Sequence, residues 1–281
     1  MTTAVDPRPL TEDLAPGDRT AAGFDWSAYS VRRVVGPEDP DFAPAFDRLW
    51  AEFGSRGEME RQAVIVERLA WDPRRPTGAY ALQYELLVVR RGTEIVAVRD
   101  HTAIVPLTSG GPTVVHLSHV LIAPSDRGSG LAAWLRALPL QVARRCAAAA
   151  GRSADHPIVL VAEMEPPDPT DVPRTVRLRS YERAGFRKID PTLASYAQPD
   201  FRPSSGFGAE GPVAIPLVLI VRRVGREDEV AMAGAEVADV VDALYALYAV
   251  QLAPSAVAEL RAAALVWTGR QRSFALVTPT S

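Results

Sequence analysis

The sequence predicts an α/β (α+β) fold, a sheet whose strands are interleaved with helices, followed by a helical C-terminal extension. Three observations predict it. An apolar, β-branched run ending at Pro124 feeds a polar glycine loop, Ser125 to Gly130, and then a helix with Leu131, Leu135, Leu138 and Val142 at spacings of four, three and four. Pro157 to Glu163 is almost wholly apolar, as a strand buried on both faces must be. Glu229 to Leu252 carries Val237, Val240, Val241, Leu244, Leu247 and Tyr248 on one helical stripe.

The remaining elements follow in order. Residues 1 to about 23 are rich in Pro, Asp, Thr and Ala without a period and read as a flexible N-terminal arm. Tyr29 to Val35 alternates as a first strand. Phe42 to Phe53 places Phe46, Leu49, Trp50 and Phe53 on one helical face, and a second helix runs from Glu58 to Trp71, stopped by Asp72-Pro73. Leu82 to Arg90 and Glu94 to Pro106 form a hairpin about Arg91-Gly92-Thr93, and Thr113 to Ala123 is the strand entering the glycine loop. Pro139 lies inside the following helix, so a kink or break is expected near Leu135 to Leu138. Glu165 to Pro169 is proline-stiffened and extended; Arg174 to Arg183 is a late helix that Gly185 stops. Ser195 to Phe201 and Val213 to Val224 read as strands, Val257 to Trp267 as a short helix and Phe274 to Val277 as a last strand.

Composition narrows the function. Apolar residues make up 47% of 281, which excludes global disorder, and the formal net charge of −3 provides no bulk attraction to nucleic acid or anionic membrane. The single cysteine, Cys146, has no disulfide or zinc partner and reads as a small core residue. The first ten residues lack the basic and apolar regions of a signal peptide, and apolar runs such as Val213 to Val221 are too short to span a bilayer. A cytoplasmic setting, no metal, no nucleic-acid partner and no membrane contact are the resulting expectations.

A strand feeding a glycine loop and a helix binds anions: the first helical turn has unpaired N–H groups and partial positive charge, and glycine lets backbone approach a phosphate. The expected ligand is a pyrophosphate. A P-loop is rejected, because no Lys follows the glycines. Gly128, Gly130 and Ala133 spell a dinucleotide fingerprint, but the position for its acidic residue falls in Ala147 to Arg152. Arg127-x-x-Gly130-x-Ala132 fits a third pattern, Arg/Gln-x-x-Gly-x-Gly/Ala.

That pattern, after an apolar strand and Pro124, resembles the coenzyme A loop of the GNAT acetyltransferase superfamily. Downstream, Tyr181-Glu182-Arg183-Ala184-Gly185-Phe186 resembles the family's late helix, which typically ends in Tyr-Glu-x-x-Gly-Phe. The resemblance covers roughly Tyr29 to Val224. It implies a mixed, mostly antiparallel central sheet with helices on both faces, and an arrangement of arm (1–23), acetyltransferase domain (24–226) and helical extension (227–281), the last packed on the domain or on a partner subunit of a homodimer.

By the same resemblance, acetyl-CoA is the co-substrate and a primary amine, on a small molecule or a peptide, the acceptor. Backbone groups around Val120, Leu121 and Ile122 would pair with pantetheine between two splayed strands, and those of Arg127, Gly128, Ser129, Gly130, Leu131 and Ala132 would hold the pyrophosphate. Tyr181 would be the general acid for the leaving thiolate. Glu163 and Glu165, one residue apart at the end of an apolar strand, are candidates for the base or the amine-binding group; a solvated role, or pairing with Arg174 or Arg177, is the other reading. The asparagine common in this region of the family is missing. His116 and His119 flank Ser118 and are expected on the face opposite it; either a base or a hydrogen-bonded structural histidine fits them. A non-catalytic acyl-CoA sensor or protein-interaction module on the same fold is the alternative.

Overall fold

The computed structural model describes residues 6–202, 211–252 and 254–281. The strands are β1 (Tyr29–Arg33), β2 (Tyr80–Arg91), β3 (Glu94–Pro106), β4 (Thr113–Ile122), β5 (Ile158–Met164), β6 (Arg187–Ile189), β7 (Tyr196–Gln198), β8 (Ile215–Arg223), β9 (Ala231–Ala233) and β10 (Ser273–Val277). The helices are α1 (Phe42–Phe53), α2 (Gln62–Leu69), α3 (Leu131–Ala137), α4 (Pro139–Ala149), α5 (Val172–Arg183), α6 (Gly234–Ala249) and α7 (Pro254–Thr268). The strands form one sheet in the order β1-β2-β3-β4-β5-β8-β6-β10-β9, with β7 on β8. Every pairing is antiparallel except β4 with β5. The sheet is therefore mixed and mostly antiparallel, and no helix among the described residues is long and apolar enough to cross a membrane.

Strand alternation sorts the core into two layers. Leu82, Tyr84, Leu86 and Val88 face the side covered by α1, α2, α6 and α7. Ala81, Leu87 and Val89 face the side covered by α3 and α4, and α5 joins that side over Leu160 and Ala162. Pro139 ends one helix and opens the next: α3 stops at Ala137, and Pro139 takes the first position of α4, where its missing N–H breaks no bond. Cys146 is fully buried under Ala81 and Ala103.

Several elements differ from the sequence reading. α2 starts at Gln62, not Glu58, because Gly57 is left-handed (φ +73°) and the Glu58 carbonyl accepts from side chains across the sheet. Two three-residue strands, β6 and β9, have no pattern of their own length. The helix expected from Glu229 begins at Gly234, where a Cβ would lie 2.2 Å from the Gln271 carbonyl oxygen, so only glycine fits.

Residues 6–23, expected as a loose arm, are a docked strap of 3₁₀ turns. Leu14 and Ala15 are buried, Trp134 Nε1 donates to the Ala21 carbonyl at 3.0 Å, and Asp18 pairs with Arg136 at 2.8 Å. Residues 227–281 are more than a helical extension. They supply β9 and β10 to the sheet, and α6 shares a core with Val159, Val161, Leu219 and Val221. Residues 203–210, between β7 and β8, fall outside the described residues.

Candidate active site

The site lies where β4 and β5 part. Their parallel register runs only from Thr113↔Ile158 to His116↔Val161. Beyond it β4 continues to Ile122 and keeps pairing with β3, but its edge toward β5 has no strand partner among the described residues. An extended ligand can therefore add itself to that edge as a strand would.

A groove of about 830 Å³ opens from this gap. Val120, Leu121, Ile122, Arg127, Gly128, Gly130 and Ala132 all line it, together with Tyr181 and Ser180 of α5 and Gly17, Asp18, Thr20 and Ala21 of the strap. Gly128 (φ +78°) and Gly130 (φ +102°) both need the left-handed region, and a Cβ at Gly130 would also meet Ala21 at 3.4 Å. Ser129 contributes differently: its Oγ donates to the Asp126 carbonyl at 2.7 Å and accepts from Leu131 N at 3.3 Å. Leu131 turns its side chain into the core beneath the loop. Asp126 anchors the turn, taking hydrogen bonds from Tyr29 (3.0 Å), Arg91 (2.9 Å) and Ser125 (2.6 Å).

A second cavity of about 100 Å³ lies beyond the gap and shares Phe53, Val120, Arg177 and Tyr181 with the groove. Tyr181, 6% exposed, therefore stands between the two. Glu58, Glu163, Glu165, His116, His119, Gln198 and Tyr248 line this cavity. The structure thus brings Tyr181, Glu163 and Glu165 to one place, but the two glutamates are already engaged. Glu163 accepts from His116 Nε2 at 2.8 Å and from the Tyr196 and Tyr248 hydroxyls, each at 2.5 Å. Burial raises its pKa, but the His116 charge and the hydrogen bonds from His116, Tyr196 and Tyr248 outweigh burial and hold it below the usual carboxylate value. Glu165 is pinned by Arg177 and, at 3.3 Å, by Arg174.

Among the described residues Glu58 is the cavity carboxylate without a close partner, its one ion pair being with Arg56 at 3.7 Å. Burial is the largest influence and raises its pKa, with Glu165 adding to the rise against Arg56. Its backbone is fixed by two donors to its carbonyl, His119 Nε2 at 3.0 Å and Gln198 Nε2 at 3.3 Å.

Both histidines lie on the α1/α2/α6 face of the sheet. Strict alternation would separate positions 116 and 119, but the register slips so that Leu117 and Ser118 together stand opposite His101, and the slip restores a shared face. Contrary to the expectation, Ser118 is not turned fully away: its Oγ lies 3.2 Å from His116 Nδ1. His119 Nδ1 meets Asp100 at 3.0 Å and Nε2 meets the Glu58 carbonyl, so both ring nitrogens face acceptors. Burial would lower its pKa; Asp100 and the Glu58 carbonyl prevail and raise it to about 9. His119 is a buried imidazolium that positions Glu58.

Sequence reasoning missed Glu58, Tyr196, Tyr248 and Arg99. Arg99-Asp100-His101, three polar residues in the middle of an apolar strand, was the legible signal for Arg99 and for the His119 partner. Nothing local marks Tyr248, which reaches Glu163 from α6, 85 residues away.

No protein-family model matches the chain, and no curated protein matches it. Among solved structures the chain is similar to a protein assigned to the GNAT acetyltransferases from Desulfovibrio desulfuricans, at 20% identity over 70% of this chain and 99% of that one, TM-score 0.38. It is also similar to a GNAT family acetyltransferase from Elizabethkingia anophelis with acetyl-CoA bound (13% identity, 70% and 99% covered, TM-score 0.33). A third is an acyl-CoA N-acyltransferase from Pseudomonas aeruginosa (18% identity, 69% and 97% covered, TM-score 0.35). At these values the functional reading rests on the geometry of the chain itself.

Proposed function

We propose that the chain is an acyl-CoA-dependent N-acyltransferase of the GNAT type, with acetyl-CoA as co-substrate and a primary amine as acceptor. The observation that carries this is the splay of β4 and β5 leading into a groove lined by the glycine loop, with Tyr181 standing between that groove and a second, acidic cavity. The free edge of β4 at Val120 to Ile122 pairs with the pantetheine amides. The loop from Arg127 to Ala132 supplies backbone N–H groups and the Arg127 charge to the pyrophosphate. The acceptor amine enters the second cavity.

Glu58, rather than Glu163 or Glu165, takes the amine proton. It is the cavity carboxylate free of a tight ion pair, and burial has moved its pKa toward the working range of a base. Glu163 and Glu165 shape the cavity and set its negative character, and Tyr181 donates to the departing sulfur.

The test pairs binding with turnover. Calorimetry with acetyl-CoA should show binding by the parent protein and by Glu58→Gln, and none by Gly130→Glu. Thiol release in the presence of a panel of primary amines should fall by roughly 10²- to 10⁴-fold in Glu58→Gln. Absence of coenzyme binding by the parent would overturn the acyltransferase reading; an unchanged rate in Glu58→Gln would remove Glu58 from the mechanism.

A further inference from the structure

Arg99 crosses the middle of β3 with its side chain on the α3/α5 face, beside Val120 of β4 in register. The residue is 1% exposed, and none of its three guanidinium nitrogens has a hydrogen-bond partner among the described residues. It nevertheless lines the groove. A buried, unpaired guanidinium is one of the costliest groups a fold can hold, and it stays charged.

The acids of the groove do not answer it. Asp18 is held by Arg136 at 2.8 Å, Asp126 by Arg91 at 2.9 Å and Glu52 by Arg56 at 2.8 Å. Burial pushes the Arg99 pKa down, and the principal group opposing that fall is the Tyr181 side chain. A second cation, Arg136, lies over the same ring, its Cζ 5.8 Å from the centroid. Arg136 is already matched by Asp18, so the unmatched positive charge beside Tyr181 is that of Arg99, at the level of Val120 and short of the glycine loop. The anion that fits there comes with the ligand, and it is not the pyrophosphate, which belongs to the loop.

We propose that Arg99 is the counter-charge for the coenzyme thiolate released in acyl transfer, a further catalytic residue. The inference rests on the acyl-CoA reading above. In the reaction the amine lone pair forms the C–N bond and the carbonyl π pair moves to oxygen. On collapse that pair re-forms C=O, the C–S bond breaks and its electrons leave on sulfur. The Tyr181 O–H then protonates sulfur, and the proton taken from the amine by Glu58 returns through solvent to the tyrosine oxygen. Until that return, one negative charge resides on sulfur or on the Tyr181 oxygen, and Arg99 neutralises it in either place.

The test compares coenzyme A with its S-methyl thioether, which cannot ionise, by calorimetry at about pH 7 and about pH 9, an interval over which a thiol held as thiolate in the groove gains charge and the thioether cannot. In the parent protein the preference for the thiol over the thioether should rise over that interval, by up to about tenfold for each unit by which the groove lowers the thiol pKa. Arg99→Met should abolish the rise and Arg99→Lys should restore part of it. Because no guanidinium nitrogen of Arg99 has a hydrogen-bond partner among the described residues, Arg99→Met without ligand should melt no lower than the parent. Equal pH slopes in parent and Arg99→Met, with both binding, overturn the role of Arg99 alone. A lower melting temperature overturns the premise that Arg99 is unpaired. Failure of the parent to bind either ligand overturns the acyl-CoA reading together with this inference.

Discussion

At the scale of single residues, the site depends on buried charges whose partners settle what each can do. Asp100 accepts from the His119 backbone at 2.8 Å, from His119 Nδ1 at 3.0 Å and from the Tyr84 hydroxyl at 3.1 Å. Burial raises its pKa, yet His119 brings it down to about 2, while His119 itself rises to about 9. The folded pKa of His119 is thus above its unfolded value near 6.5, so its contribution to stability is fully present below about pH 6.5 and is lost as pH rises through about 9. The Asp100 share is present above about pH 4 and is lost as pH falls through about 2. Denaturant unfolding of the parent should lose about 3 kcal/mol between pH 6 and pH 10 from this pair. His119→Gln should be less stable at pH 6 and lack that decline. A parallel decline in both proteins would mean that His119 is not the titrating group.

At the scale of elements, the strap of residues 6–23 decides how the groove is closed. Its acidic residues dock on the helices beneath: Asp13 on Arg144 at 2.6 Å and Asp18 on Arg136 at 2.8 Å. Arg136 also donates to Ser180 of α5 at 2.9 Å, so one side chain ties the strap to the helix that carries Tyr181. Breaking a buried ion pair on one side leaves a bare charge and costs about 3–5 kcal/mol, enough to release a short segment from a folded body. Asp18→Asn should therefore make the chain after Arg19 open to limited tryptic cleavage while the rest melts as before. A cleavage rate equal to that of the parent would show that the apolar contacts of Leu14 and Ala15 hold the strap alone.

At the scale of the whole molecule, the C-terminal segment belongs to the body that builds the site. Leu244 of α6 is wholly buried against the sheet, and Tyr248 one turn later reaches Glu163. Leu244→Ala should cost about 2–5 kcal/mol and lower the midpoint of a single unfolding transition, as cavity formation in a shared core requires. A separate, earlier transition confined to α6 and α7 would show an independent appendage instead. The sequence by itself determined the elements whose physics is local. The apolar periods of α1 and α6, the hairpin about Gly92, the break at Pro139 and the strand–glycine loop–helix unit could all be read, because propensity, period and turn chemistry act over a few residues. It also brought the loop, Tyr181, Glu163 and Glu165 forward as one candidate set. Tertiary structure decided which carboxylate is free. Glu163 and Glu165 look equivalent one residue apart, and only the packing of α5 and α6 supplies the arginines and tyrosines that occupy them and leave Glu58 available. It also decided that the Arg99 guanidinium has no hydrogen-bond partner among the described residues and that the apparent arm is a strap, because burial and ion pairing join residues that lie far apart in the chain.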